Sequence, residues 1–226
     1  MEPTAYPRAI LDGVVSQRLS FVVRRLLEAT MADLYERLAE IEGMTRLLAA
    51  DVTRLTSQLG ERPIQAETTE EEEGARRAYV RAVFALIEAI VEQHKKLLLE
   101  LSSHGSVTLR PGVVEALAEQ AYIVNENGSV SSRDQYLQLR RKLRAIYRAA
   151  AEGFGAELIV QYDGEGWRSF TAAVKVRDRI THPKTYLDCY ISEDDLATVD
   201  AGNDWFRGVN NEFVRVAHEH RQQHAW

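Results

Sequence analysis

The sequence predicts an all-α protein, a helical bundle preceded by a helical arm. Three observations carry that prediction. A seam of apolar residues runs from Leu27 to Leu59 at alternating steps of four and three. A wide apolar arc follows between Val80 and Leu101, and two later amphipathic runs are closed by glycine and by proline.

The seam comprises Leu27, Met31, Leu34, Leu38, Ile41, Thr45, Leu48, Val52, Leu55 and Leu59, a heptad pattern with one polar interruption. It fits a coiled-coil arm that pairs with another chain. It fits equally a long amphipathic helix, or a helical hairpin, packed on its own domain. Gly43 marks a candidate bend inside it. The stretch "GERPIQAETT" then breaks the pattern with Gly60 and Pro63 and reads as a linker. This places an arm at residues 1–62 and a bundle at 63–226.

Thr68 or Thr69 is the expected N-cap of the next helix. The Glu70–Glu73 run sits where the helix dipole favours negative charge, so it needs no ligand to explain it. Val80, Val83, Phe84, Ile87, Ile90, Val91, Leu97, Leu98 and Leu101 make this the central core helix. A third helix is expected over about Pro111 to Ala121, with proline at its start. "NENGS" follows as a turn. A fourth helix, capped by Ser131 or Ser132 and stopping near Gly153, would bury Tyr136, Leu139, Leu143, Ile146 and Tyr147. "ELIVQY" has strand composition but no evident partner strand, so no sheet is expected. Two more helices complete the prediction. One runs from about Trp167 to Thr181 and is ended by Pro183; the other starts near Ser192 with Asp194 and Asp195 in its first turn.

Composition limits the function. The net charge is −6, so any nucleic-acid contact must come from a local cationic cleft rather than a broad basic face. One cysteine, Cys189, excludes a disulfide within the chain and a cysteine-rich metal site. No apolar run reaches membrane-spanning length, and "MEPTAYPRAI" carries no secretory pattern, so the expectation is a cytoplasmic protein. No phosphate-binding glycine loop is present, which argues against a kinase, NTPase or dehydrogenase. No cofactor or metal is expected. His220 and His224 stand at i and i+4, a metal-capable spacing, but a frayed, solvated helix end is the simpler account. His94 lies beside the apolar arc and reads as a packed histidine. Arg140, Arg144 and Arg148 form a stripe that could track an RNA backbone but reads first as a solvated face paired with acids.

The stretch "VKVRDRITHPK" holds the candidate site. Arg177 shares a helix face with Phe170, Ala173, Val174, Ile180 and Thr181, and an arginine on a packed face needs an anionic partner. His182 precedes Pro183, which pushes it out of the α region and directs its imidazole off the helix end. Arginine and histidine can thereby converge on one volume, with Lys184 close enough to join them. Such a set suits RNA cleavage without metal. An imidazole, with an ordinary pKa of about 6.5, can take a proton from a ribose 2′-hydroxyl or return one to the leaving 5′-oxygen. Arginine can bind the charge that builds on the phosphoryl oxygens. On spacing alone a cationic helix C-cap is the favoured account of the pair, because an arginine and a histidine five positions apart make a short and permissive pattern.

"VRDRITHPK" resembles the signature of the HEPN superfamily (higher eukaryotes and prokaryotes nucleotide-binding domain), in which arginine and a polar residue lead to a histidine a few positions on. Arg177 matches the arginine, Asp178 the polar position, where asparagine is commoner, and His182 the histidine. "RAYVRAVFALIEAIVEQHKK" resembles the long early helix of bacterial members, and the resemblance covers about Glu67 to Phe213. It implies an all-α HEPN-like bundle with the motif at the end of a late helix. It also implies a metal-independent ribonuclease of toxin or phage-defence type, acting on RNA as a homodimer, with an antitoxin as a further partner. Glu88 is the best match for an acidic partner of the arginine. Other members are non-catalytic binding modules, which leaves a helical interaction or nucleotide-binding module as the alternative.

Overall fold

A computed structural model describes residues 43–59, 69–157 and 160–224. Residues 47–226 form one compact unit and residues 1–46 another, of which only 43–46 are described. The larger unit is helical apart from one hairpin. Helix α1 is described over 43–59. It is followed by α2 (Glu70–Ser103), α3 (Val113–Leu117), β1 (Gln120–Val124), β2 (Val130–Asp134), α4 (Leu139–Phe154) and α5 (Glu165–Thr181). A 3-10 turn (Tyr186–Cys189) then leads into α6 (Glu193–His224). No helix among the described residues is long and apolar enough to cross a membrane.

Helix α2 is the axis of the bundle. Thr69 caps it, its hydroxyl accepting from the Glu72 amide at 3.2 Å, with four glutamates in the first turn. Its arc buries Val80, Val83, Phe84, Ile87, Val91, Leu98 and Leu101. Two aromatic groups pack beside it. Trp167, Phe170, Trp205 and Phe206 join α5 to α6. Phe213 of α6 stacks on His94, ring centroids 3.7 Å apart, and meets Tyr147 of α4 edge-on. His94 is therefore a packed core histidine, its Nδ1 3.1 Å from the Tyr147 hydroxyl. Of the predicted seam, Leu55 lies in this core and Val52 and Leu59 pack against it. Seam positions from Leu27 to Ile41 lie outside the described residues, as does most of the predicted linker.

The middle of the chain departs from the prediction. The third helix shrinks to Val113–Leu117, and the segments on either side of "NENGS", partly expected to be helical, pair as an antiparallel hairpin, Tyr122 opposite Ser132 and Val124 opposite Val130. Gly128, at φ 80°, makes the reversal that an L side chain resists. Helix α4 accordingly starts at Leu139, not at Ser131 or Ser132, and Tyr136 is exposed rather than packed. Of "ELIVQY", Val160 to Tyr162 form no strand, and Leu158 and Ile159 lie outside the described residues. Gly155 in the left-handed region ends α4, two residues after the expected stop. At the far end α6 continues through His224, and His220 is buried against Phe154, its Nε2 3.1 Å from the Ser106 carbonyl oxygen. The expected fraying is displaced by this packing.

Candidate functional site

Helix α5 sets the geometry. Trp167, Phe170, Ala173, Val174 and Ile180 bury one stripe of it, which brings Arg177 to the margin of the core, half-buried beside α2. There the guanidinium forms an ion pair with Glu88 of α2 and a second with Asp178 at 2.9 Å. The expected anionic partner is thus present, and it is Glu88. These contacts use two of the five N–H donors of the guanidinium, so the group remains able to hold a further anion.

The helix ends because Pro183 cannot continue it. His182 leaves the α region at φ −127°, ψ 59°, while its amide still donates to the Asp178 carbonyl oxygen at 3.0 Å. Its side chain is exposed. Two arginines tie down carbonyls on either side of His182: Arg81 donates to the Ile180 oxygen at 3.4 Å, and Arg179 to the Tyr190 oxygen at 3.0 Å while pairing with Asp195 at 2.8 Å. The next turn is fixed by Asp188, whose carboxylate accepts from the amides of Lys184 at 2.8 Å and Thr185 at 2.7 Å. Those amides hold the Asp188 carboxyl below its usual range. The amides of His182, Lys184 and Thr185 are thus all bonded.

All five predicted residues, Arg177, His182, Asp178, Lys184 and Glu88, line one cleft of about 850 Å³. That is within the range of roughly 300–1,000 Å³ typical of ligand sites. The β2–α4 connection, through Tyr136, and the first turn of α4, through Arg140 and Lys142, also line the cleft. Both cationic and acidic side chains line it, so the cleft is locally charged without being uniformly basic. Of the arginine stripe, Arg140 reaches the cleft. Arg144 lies over the Trp167 ring, 4.7 Å from its centroid, and Arg148 pairs with Glu152.

A charge cluster beside the cleft was not evident in the sequence. Lys95 of α2 and Lys142 of α4 both bond the Glu119 carboxylate, at 3.1 and 3.0 Å, and Lys142 also reaches Glu92 at 3.4 Å. Glu119 sits in the left-handed region at φ 57°, and it is held there from both ends. Its carbonyl oxygen accepts from the Gln135 amide at 2.7 Å and its carboxylate from the Leu137 amide at 2.9 Å. Burial opposes its charge, but the Leu137 amide and the two ammonium groups outweigh burial and keep the carboxyl below its ordinary range. Neither the 24-residue separation of Lys95 from Glu119 nor any local motif signals this contact; only the fold brings them together.

Among the described residues no group of three or more His, Cys, Asp or Glu side chains is placed to hold a metal ion. Compared with known proteins, the chain matches no family model, no curated protein and no solved structure.

Proposed function

We propose that this cleft binds RNA and cleaves it without a metal, by attack of a ribose 2′-hydroxyl on the adjacent phosphorus. The observation that carries the reading is the convergence of Arg177, oriented by Glu88 and Asp178, and of His182, at the open end of α5, on a single cleft. His182 takes the 2′-hydroxyl proton or protonates the departing 5′-oxygen. As the 2′-oxygen bonds to phosphorus, the bond to the 5′-oxygen breaks, leaving a 2′,3′-cyclic phosphate and a 5′-hydroxyl. The remaining Arg177 donors and Lys184 stabilise the charge on the phosphoryl oxygens. A single histidine serves one of the two proton transfers, so a homodimer, with a second copy supplying the other, fits the chemistry. The motif's likeness to HEPN ribonucleases extends the reading to a toxin or phage-defence effector of the cytoplasm with an antitoxin partner.

The test is incubation with total RNA and with tRNA in excess EDTA, alongside His182→Ala and Arg177→Ala. The expected result is cleavage by the parent that both variants lose while keeping their fold. Cleavage retained in both variants overturns the site.

A second reading, a non-catalytic interaction or nucleotide-binding module that assembles with copies of itself, is favoured by one feature. Tyr122, Val124 and Val130 share an exposed face of the hairpin. Under that reading His182→Ala has no cleavage to remove.

A further inference from the structure

We propose that Tyr136 is a stacking platform for a nucleobase whose phosphate lies against Arg177 and His182, which makes single-stranded RNA the preferred ligand of the cleft. The inference rests on the RNA reading above and adds to it the residue that chooses the strand form.

Tyr136 is 86% exposed, the most exposed of the large apolar or aromatic side chains described. An exposed tyrosine is ordinary on its own. Two features set this one apart. It lines the same cleft as Arg177, His182 and Lys184. It is also held in place: both of its chain neighbours, Gln135 and Leu137, donate their amides to Glu119, at 2.7 and 2.9 Å. Glu119 is in turn gripped by Lys95 and Lys142. The backbone next to the ring is thus tied to a largely buried ion cluster. The Lys142 ammonium lies 5.2 Å from the ring centroid, a cation–π contact that steadies the ring and leaves most of it open.

A planar aromatic surface sharing one cleft with phosphate-binding cations matches a nucleotide, a flat base joined to an anion. Bases in an A-form duplex are already paired and stacked, with their faces closed to side chains; those of a single strand are free to stack on an aromatic ring. Stacking is tolerant of base identity, because every base presents a π face. The rest of the chain agrees with this mode of binding. With a net charge of −6, affinity must come from a few local contacts, and a base–aromatic contact supplies affinity that does not depend on neutralising many phosphates.

The test is fluorescence anisotropy with a short single-stranded RNA in which every 2′-hydroxyl is methylated, so that binding is read without cleavage. The same sequence as a duplex is the comparison. The expected result is preference for the single strand and a loss of about tenfold in affinity for Tyr136→Ala, equivalent to ~1.4 kcal/mol. Tyr136→Trp restores binding, and circular dichroism confirms that both variants fold. In cleavage of unmodified RNA, Tyr136→Ala raises KM more than it lowers kcat. Equal binding by parent and Tyr136→Ala, equal binding of duplex, or no binding by the parent overturns the stacking platform. Cleavage lost in His182→Ala, with binding indifferent to Tyr136, overturns it while leaving the ribonuclease reading intact. Tyr136-dependent binding without cleavage of any RNA upholds the platform and counts against the ribonuclease.

Discussion

Arg177 of α5 and Glu88 of α2, 89 residues apart in the chain, form an ion pair at the mouth of the cleft. Their side chains are 27% and 41% exposed, so solvent screens the pair and its direct contribution to stability is ~0.5–1 kcal/mol. Its larger effect is on orientation, because a guanidinium held on two carboxylates presents its remaining donors in a fixed plane. Glu88→Gln should therefore leave urea unfolding nearly unchanged while lowering kcat for RNA cleavage by roughly tenfold. Arg177→Lys should fail to rescue, since an ammonium lacks the planar fork. A double-mutant cycle on Arg177 and Glu88 that gives a coupling near zero in both unfolding and kcat would show the pair to be incidental.

Glu119 makes a prediction of the opposite kind, large in stability. It faces two ammonium groups, and all three side chains are at most 16% exposed. Removing one partner of a buried cluster leaves charge uncompensated, so Glu119→Gln should cost ~2–3 kcal/mol in urea unfolding. The Leu137 amide also loses its charged acceptor. Hydrogen exchange there should accelerate ahead of exchange in α2, because the β2–α4 connection loosens before the core does. Exchange at Leu137 that stays level with α2 would contradict this.

How much of this was legible depends on what each residue's neighbours are. The arginine–histidine end of α5 could be read because its cause is local. Phe170, Ala173 and Val174 fix the packed face, and Pro183 fixes where the helix opens. That an arginine on a packed face needs an acid within reach was legible from the same pattern, but Glu88 itself was singled out only through the resemblance. The hairpin was not legible because β1 and β2 are almost wholly exposed on both faces, so no alternation of apolar and polar residues marks them as strands. Asn127-Gly128 was read as a turn between helices, although the same pair is the usual signal of a hairpin. That misreading placed Tyr136 on a helix face, when Glu119, distant in sequence from Lys95, decides where it stands.

His94 should make the fold acid-sensitive at mild pH. Burial pushes its imidazole down to about 3, against a hydrogen bond with Asn210 that works the other way. In the unfolded chain it titrates near 6.5. Between those values the unfolded state binds a proton that the folded state does not. Stability is therefore whole above about pH 6.5 and falls on acidification by up to ~1.4 kcal/mol per pH unit until about pH 3. Glu119, Asp188 and Asp195 are held below their ordinary values, so their stabilising contributions are lost only at lower pH, from about 4 downward. The interval from about pH 6.5 to 5 isolates the histidine. His94→Gln should be less stable than the parent at pH 7.5, having lost the stacking on Phe213, yet show a flatter decline across that interval. Parallel declines in the two proteins would assign the acid sensitivity elsewhere.

The crossing of α5 and α6 tests whether the bundle positions the site. Both Gly202 and Gly208 lie inside α6, where alanine is favoured over glycine by ~1 kcal/mol. They differ in surroundings. A Cβ at Gly208 would meet nothing within 4 Å, so Gly208→Ala should stabilise by up to that amount. A Cβ at Gly202 would stand 3.0 Å from the Ala173 Cβ, 3.1 Å from the Phe170 Cα and 3.3 Å from the Ser169 carbonyl oxygen. Two of those three atoms are backbone and cannot move unless α5 moves. The overpacking cost, ~1–3 kcal/mol, should then exceed the gain in propensity and make Gly202→Ala a net loss of up to ~2 kcal/mol. Because Arg177 rides on α5, the same shift carries it away from Glu88. Cleavage should fall in Gly202→Ala and stay at the parental level in Gly208→Ala. Opposite signs of ΔΔG in paired urea titrations, with activity following Gly202 alone, would tie the geometry of the cleft to this helix contact; equal effects at the two glycines would break that link.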